Sequence, residues 1–107
     1  MEGFRIENKR GRNGTCRIVL SGRFGDRAAL ELEECLKELL GGRAGEIRID
    51  CKGVSRLSRT NLGVLFGMVS SFRSEGAELR LRNLPPAAEA DIKIVTGENY
   101  FNLVRER

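Results

Sequence analysis

A chain of 107 residues, 40% apolar and 32% charged, holds one domain around a single core and is too short for two. No apolar run approaches the roughly 18–20 residues of a membrane span, so membrane insertion is not expected. The net charge of +4 is modest and its arginines are scattered, which argues against nucleic acid as a partner.

In chain order, Phe4-Arg5-Ile6 alternates apolar and polar, and Thr15 to Leu20 is a β-rich run. Asn13-Gly14 between them accepts the positive φ of a hairpin turn, which predicts two antiparallel strands. Ser21-Gly22-Arg23-Phe24-Gly25 reads as a break, followed by Asp26 as helix N-cap. From Arg27 to Leu40 the residues Ala29, Leu32, Cys35, Leu36, Leu39 and Leu40 recur at helical spacing, and Gly41-Gly42 ends the helix. Glu46 to Cys51 alternates as a strand with Ile47, Ile49 and Cys51 inward.

A polar loop then leads into a second helix. With Ser58 as N-cap, Leu57 and Leu62 take the two positions of a hydrophobic staple. Leu62, Leu65, Phe66, Val69 and Phe72 form the buried stripe, widened by Val64 and Met68. Gly63 and Gly67 each cost about 1 kcal/mol relative to alanine inside a helix, which is explained if another backbone approaches there. Ser74-Glu75-Gly76 turns the chain into a strand at Ala77–Arg82. Leu84-Pro85-Pro86 to Ala90 reads as a short third helix, since proline is tolerated in a first turn. Ile92–Val95 fits either a helix end or a strand. A turn at Thr96-Gly97 and a short apolar element close the chain.

Strands joined through helices require crossovers, so the expected fold is α/β, with a mixed sheet of four to five strands covered by amphipathic helices.

Chemistry-bearing residues are sparse. There is no histidine, which removes the commonest general base and zinc ligand and excludes Ser–His and Cys–His pairs. Cys16, Cys35 and Cys51 are odd in number and sit among apolar neighbours, so buried thiols are expected rather than disulfides or a metal site. An enzyme built on Asp26, Asp50 and Ser58 would lack a base, a metal set and a phosphate-cradling loop. No catalytic residue, metal or cofactor is expected. The N-terminus lacks a basic region followed by an apolar run, and the expected location is cytoplasmic.

Arg59 is the local inconsistency: a cation in the first turn of a helix faces the positive end of its dipole. Either it bends away into water or it serves a docking surface with Lys52, Ser55, Arg56, Ser58, Thr60 and Asn61.

The segments Gly22–Asp26, Ile49-Asp50-Cys51, Leu57–Leu65, Leu79–Leu81 and Thr96–Phe101 together resemble a STAS domain, the fold of bacterial anti-sigma factor antagonists and of the cytoplasmic tails of sulfate transporters. The resemblance spans nearly the whole chain as a single STAS-like domain. In antagonists of this family the loop before the second helix reads Asp-Ser-Ser-Gly-Leu-Gly, and a partner kinase, itself the anti-sigma factor, phosphorylates the first serine. Here Ser58 takes the aspartate position, Arg59 the phosphoacceptor, Thr60 the second serine and Asn61 the glycine, while Leu62 and Gly63 match. The resemblance thus implies a protein partner, an anti-sigma factor kinase or a transporter subunit, without the usual serine switch. Ser58 and Thr60 remain candidate phosphoacceptors, and a weak homodimer is compatible with the pattern. A small anion or nucleotide sensor using the helix N-terminus is a further alternative.

Overall fold

The computed structural model describes residues 3–11, 14–41, 45–86 and residue 90. Residues 87–89 of the expected third helix, and everything expected from Ile92 onward, lie outside the described residues.

The order is β1 (Phe4–Arg10), β2 (Thr15–Arg23), α1 (Asp26–Gly41), β3 (Glu46–Arg56), α2 (Arg59–Ser74) and β4 (Leu79–Arg82). The strands form one sheet in the order β1-β2-β3-β4. β1 and β2 are an antiparallel hairpin, Ile6 facing Leu20, and β2–β3 and β3–β4 are parallel, Ile49 lying between Ile18 and Leu81. Gly14 has φ +76°, as the hairpin turn required. The two crossovers run the same way along the sheet, and α1 and α2 lie side by side, lining one groove between them.

The core lies between these helices and the sheet. Ile18, Leu20, Ile47, Ile49, Leu79 and Leu81 from the strands meet Leu32 and Leu36 of α1 and Leu65 and Val69 of α2, all essentially inaccessible to water. Full burial of one such side chain is worth about 1.5–3 kcal/mol, so these residues dominate the stability. Phe24, also buried, packs edge-on against Phe4 with ring centroids 5.9 Å apart, fastening the edge strand to the start of α1.

Four expectations are corrected. Ser21 to Arg23 does not break β2; the strand continues through it by register shifts between Val19 and Ser21 and between Gly22 and Arg23. Gly22 there has φ +89°, and a side chain would run into the Gly3 carbonyl. β3 likewise runs on to Arg56, held by backbone pairing of Gly53 with Ser21 and Val54 with Gly22. Asp26 is the first helical residue rather than the cap, because the Gly25 carbonyl accepts from the Ala29 N–H at 3.0 Å; the Asp26 carboxylate still complements the helix dipole. The fourth concerns α2. Nothing lies within 4 Å of where a Cβ would sit on Gly63 or Gly67, and Val64 is 43% exposed instead of packed.

α2 ends in a Schellman motif. Gly76, at φ +99°, donates to the Arg73 carbonyl and Ala77 donates to the Phe72 carbonyl, both near 3 Å. The motif fixes the turn into β4.

The thiols are free: Cys16 and Cys51 are buried and Cys35 half-buried. Burial, reinforced by the neighbouring Asp50 carboxylate, pushes the Cys51 thiol up to about 12 from an ordinary 9.0. The folded pKa is raised, so this residue's contribution is complete below pH 9 and is lost as pH rises from 9 toward 12, where only the unfolded thiol ionises readily. Stability of the wild type is expected to fall by about 1.4 kcal/mol per pH unit more steeply than that of Cys51→Ala over this window. Urea titrations of the two proteins from pH 8 to 11 check it; parallel curves would show that the thiol is not sequestered.

Candidate functional site

The turn between β3 and α2 is only two residues long, Leu57 and Ser58. Its geometry follows from the sequence. Ser58 adopts extended angles, φ −69° and ψ 162°, and its Oγ accepts the Asn61 N–H at 3.1 Å while its carbonyl accepts the Leu62 N–H at 2.8 Å. This is the N-cap arrangement. Leu57 and Leu62 both belong to the hydrophobic core cluster, Leu62 buried and Leu57 partly so, as the staple required. The helix start is therefore fixed from both sides.

Asn61 is half-buried and turns inward. Its Nδ2 donates to the Phe24 carbonyl at 3.0 Å, tying the first turn of α2 to the end of β2. Asp50 accepts the Lys52 N–H at 2.9 Å and the Asn83 Nδ2 at 3.1 Å, which pins the middle of β3 to the residue following β4. Asp26, Asp50 and Ser58, the residues weighed as a catalytic cluster, thus sit in three structural roles: a first helical turn, a strand tether and a cap.

What remains at the surface is the corner itself. Lys52 and Ser55 on β3, and Ser58, Arg59 and Thr60 at the start of α2, are all exposed; Arg56 ends β3 beside them. The first turn of α2 carries no acid, so the exposed groups at this corner are cationic or hydroxyl-bearing. One of the helix's N-terminal donors is already taken by Ser58, which leaves a less complete anion cradle than a helix start without a cap.

Loss of either local bond should be measurable. Ser58→Ala is expected to lower stability by about 1 kcal/mol through the lost cap. Asn61→Ala is expected to lower it by about 1–2 kcal/mol, because the half-buried Phe24 carbonyl loses its donor. Chemical denaturation checks both; an unchanged midpoint for Asn61→Ala would show that the tether is not made in solution.

Comparison with known proteins agrees with this architecture. No curated protein matches the chain by sequence. Among solved structures, an anti-sigma factor antagonist from Mycobacterium paratuberculosis is 17% identical with a TM-score of 0.71, over 97% of this chain and 87% of that one. The Bacillus cell fate determinant SpoIIAA in its phosphorylated form is 14% identical with a TM-score of 0.70, over 94% and 88%. Murine Slc26a9, an anion transporter in its inward-facing state, is 12% identical with a TM-score of 0.66, over 97% of this chain but 20% of that one. At these identities the likeness is one of fold. The family model described as "Mlab, STAS domain" matches residues 8–97, and the chain therefore belongs to the STAS domain family.

Proposed function

We propose that this protein is a non-enzymatic regulatory module that docks a protein partner through the corner formed by Lys52, Ser55, Arg56 and the first turn of α2. The observation that carries the reading is Arg59: exposed, at the first position of a helix capped by Ser58, where the helix dipole alone would favour an acid. A residue that opposes its local structure is accounted for by a surface it meets. The partner is a protein presenting acidic groups, of which an anti-sigma factor kinase is the candidate supported by the likeness to antagonists of that class.

SpoIIAA is known in phosphorylated and unphosphorylated forms. In this chain Arg59 stands where the resemblance puts the phosphoacceptor. A phosphoserine brings a charge near −2, whereas arginine holds +1 permanently. The corner is then constitutively competent to bind. Ser58 is committed to capping, and Thr60 is the hydroxyl left for modification. Titration of the purified partner with wild-type protein and with Arg59→Glu tests the reading; equal affinities would remove the corner from the interface.

A second reading, a STAS subunit of a transport assembly, is supported by the match to a fifth of the murine anion transporter. Co-purification discriminates the two: membrane-transport components in the complex favour the second, a soluble kinase the first.

A further inference from the structure

A second surface is unlike the corner in both shape and charge. Between α1 and α2 runs an open groove of about 580 Å³. Leu30, 63% exposed, and Val64, 43% exposed, are the large hydrophobic side chains that the described residues leave most open to water, and both line it. Half-buried Ala29, Met68 and Phe72 form its floor. The lining runs from Asp26 to Lys37 on one helix and from Val64 to Glu75 on the other, three turns or about 16 Å of each.

Two glycines of α2 lie beside this surface, outside the groove's own lining. Ser71 lines the groove, and Gly67 and Gly63 lie one and two turns before it on the same helical stripe, all three exposed. A Cβ on either glycine would meet nothing within 4 Å, so no packing within the described protein accounts for their helix-weakening presence. They leave space for a backbone approaching from outside.

The rim decides what approaches. Among the described residues, Asp26, Glu33 and Glu75 border the groove against a single cation, Lys37, a local acidic excess in a chain of net charge +4. A second copy of this chain would meet it with like charge through α1, whose outer face carries Glu31, Glu34 and Glu38, all exposed; its α2, with two arginines and no acid, lacks the run of cations that the rim favours. An anionic membrane surface is repelled for the same reason.

We infer that the α1–α2 groove receives a basic amphipathic helix of a partner protein, its apolar stripe on Leu30, Val64 and Met68 and its backbone close against Gly63 and Gly67. A groove between two parallel helices takes a third helix by ridges-into-grooves packing, and small residues at i and i+4 shorten the interaxial distance. An occupant of 11–14 residues, about three to four turns, fills it.

The probe is a labelled 14-residue helical peptide with leucines at i, i+3, i+4 and i+7 and lysines elsewhere, titrated by fluorescence anisotropy and mapped by amide chemical shifts on the full chain. A peptide of the same leucines with glutamates is the control. The basic peptide is expected to bind, with shifts concentrated at Leu30, Val64, Gly67 and Met68, and the acidic one to bind at least tenfold more weakly. Gly67→Leu, which favours the helix, is expected to weaken binding at least tenfold with no loss of thermal stability. The double substitution Glu33→Lys with Glu75→Lys is expected to reverse the order of the two peptides. Arg59→Glu should leave the peptide affinity within twofold, so that this surface and the corner succeed or fail separately. The inference is overturned by absence of binding up to millimolar peptide, by shifts mapping elsewhere, or by affinity that Gly67→Leu leaves intact. It is also overturned by concentration-dependent dimerisation or anionic-vesicle binding that Gly67→Leu abolishes, since the occupant would then be a second copy or a membrane.

Discussion

Replacing Arg59 with glutamate is expected to weaken partner binding at least tenfold, about 1.4 kcal/mol, while raising the stability of the free protein by a few tenths to about 1 kcal/mol. The two effects have opposite signs for one reason. In the isolated chain a cation at the first position of α2 opposes the helix dipole and an acid complements it. In the complex the same exposed cation meets an acidic surface, and reversing it places like charges in contact. A purely structural role would move both quantities in the same direction. Binding should also weaken as salt rises from 50 to 500 mM for the wild type and far less for the variant, because the charge term is screened over a Debye length of about 10 Å at 0.1 M. Isothermal titration paired with thermal melts checks the prediction; a variant that binds as well as wild type would contradict the assignment of the corner.

Gly22→Ala is expected to have the largest effect on folding, a loss of about 3 kcal/mol or more. Two independent costs coincide there. Gly22 sits at φ +89°, a conformation that L side chains rarely adopt and that costs on the order of 1–2 kcal/mol. The added methyl would also meet the Gly3 carbonyl, a backbone group that can yield only by moving the start of β1. β1 is the edge strand, and Phe4 on it packs against Phe24, which in turn accepts from Asn61. Displacing β1 therefore reaches the first turn of α2. Equilibrium unfolding measures the loss, and Gly25→Ala, where a Cβ meets nothing within 4 Å, serves as the comparison. Equal midpoints for the two variants would show that the bulge relaxes freely.

Much of this architecture is legible in the residues themselves. Ile47-Ile49-Cys51 and Leu79-Leu81 announce their strands because side chains on a half-buried sheet must alternate, and Leu32, Leu36 and Leu39 announce α1 because a buried helical face repeats every three to four positions. Ser58 as cap and Leu57 with Leu62 as staple were equally plain, since local hydrogen bonding and sequence spacing determine them. What escaped was set by backbone pairing. β2 passes through Ser21-Gly22-Arg23 and β3 through Lys52 to Arg56 with no alternation to mark them, because register shifts interrupt the pattern while the ladder continues. Gly53 shows the same limit: its hypothetical Cβ lies 2.8 Å from that of Ser21, a contact between residues 32 positions apart.

The candidate site divides in the same way. Lys52 and Ser55 along β3 and Ser58, Arg59 and Thr60 at the start of α2 are exposed, as polar side chains bordering a short strand-to-helix turn are expected to be. Asn61 was grouped with them by its polarity, yet its amide faces inward to Phe24, a partner that only the sheet topology supplies. The groove between α1 and α2 was invisible for a related reason. Leu30 and Val64 each lie at the margin of an amphipathic stripe, and only the way the two helices sit on the sheet leaves both margins open toward each other.

The central claim is that this STAS domain binds its partner through a corner whose charge is fixed rather than toggled. The most direct measurement is intact mass analysis of the protein recovered in complex with its partner and, separately, of the free pool from the same cells. The unmodified mass is expected in both pools, with the partner retained at low salt and released at high salt. A free pool heavier by one phosphate on Ser58 or Thr60, beside an unmodified bound pool, would contradict it and restore a phosphoswitch to the corner.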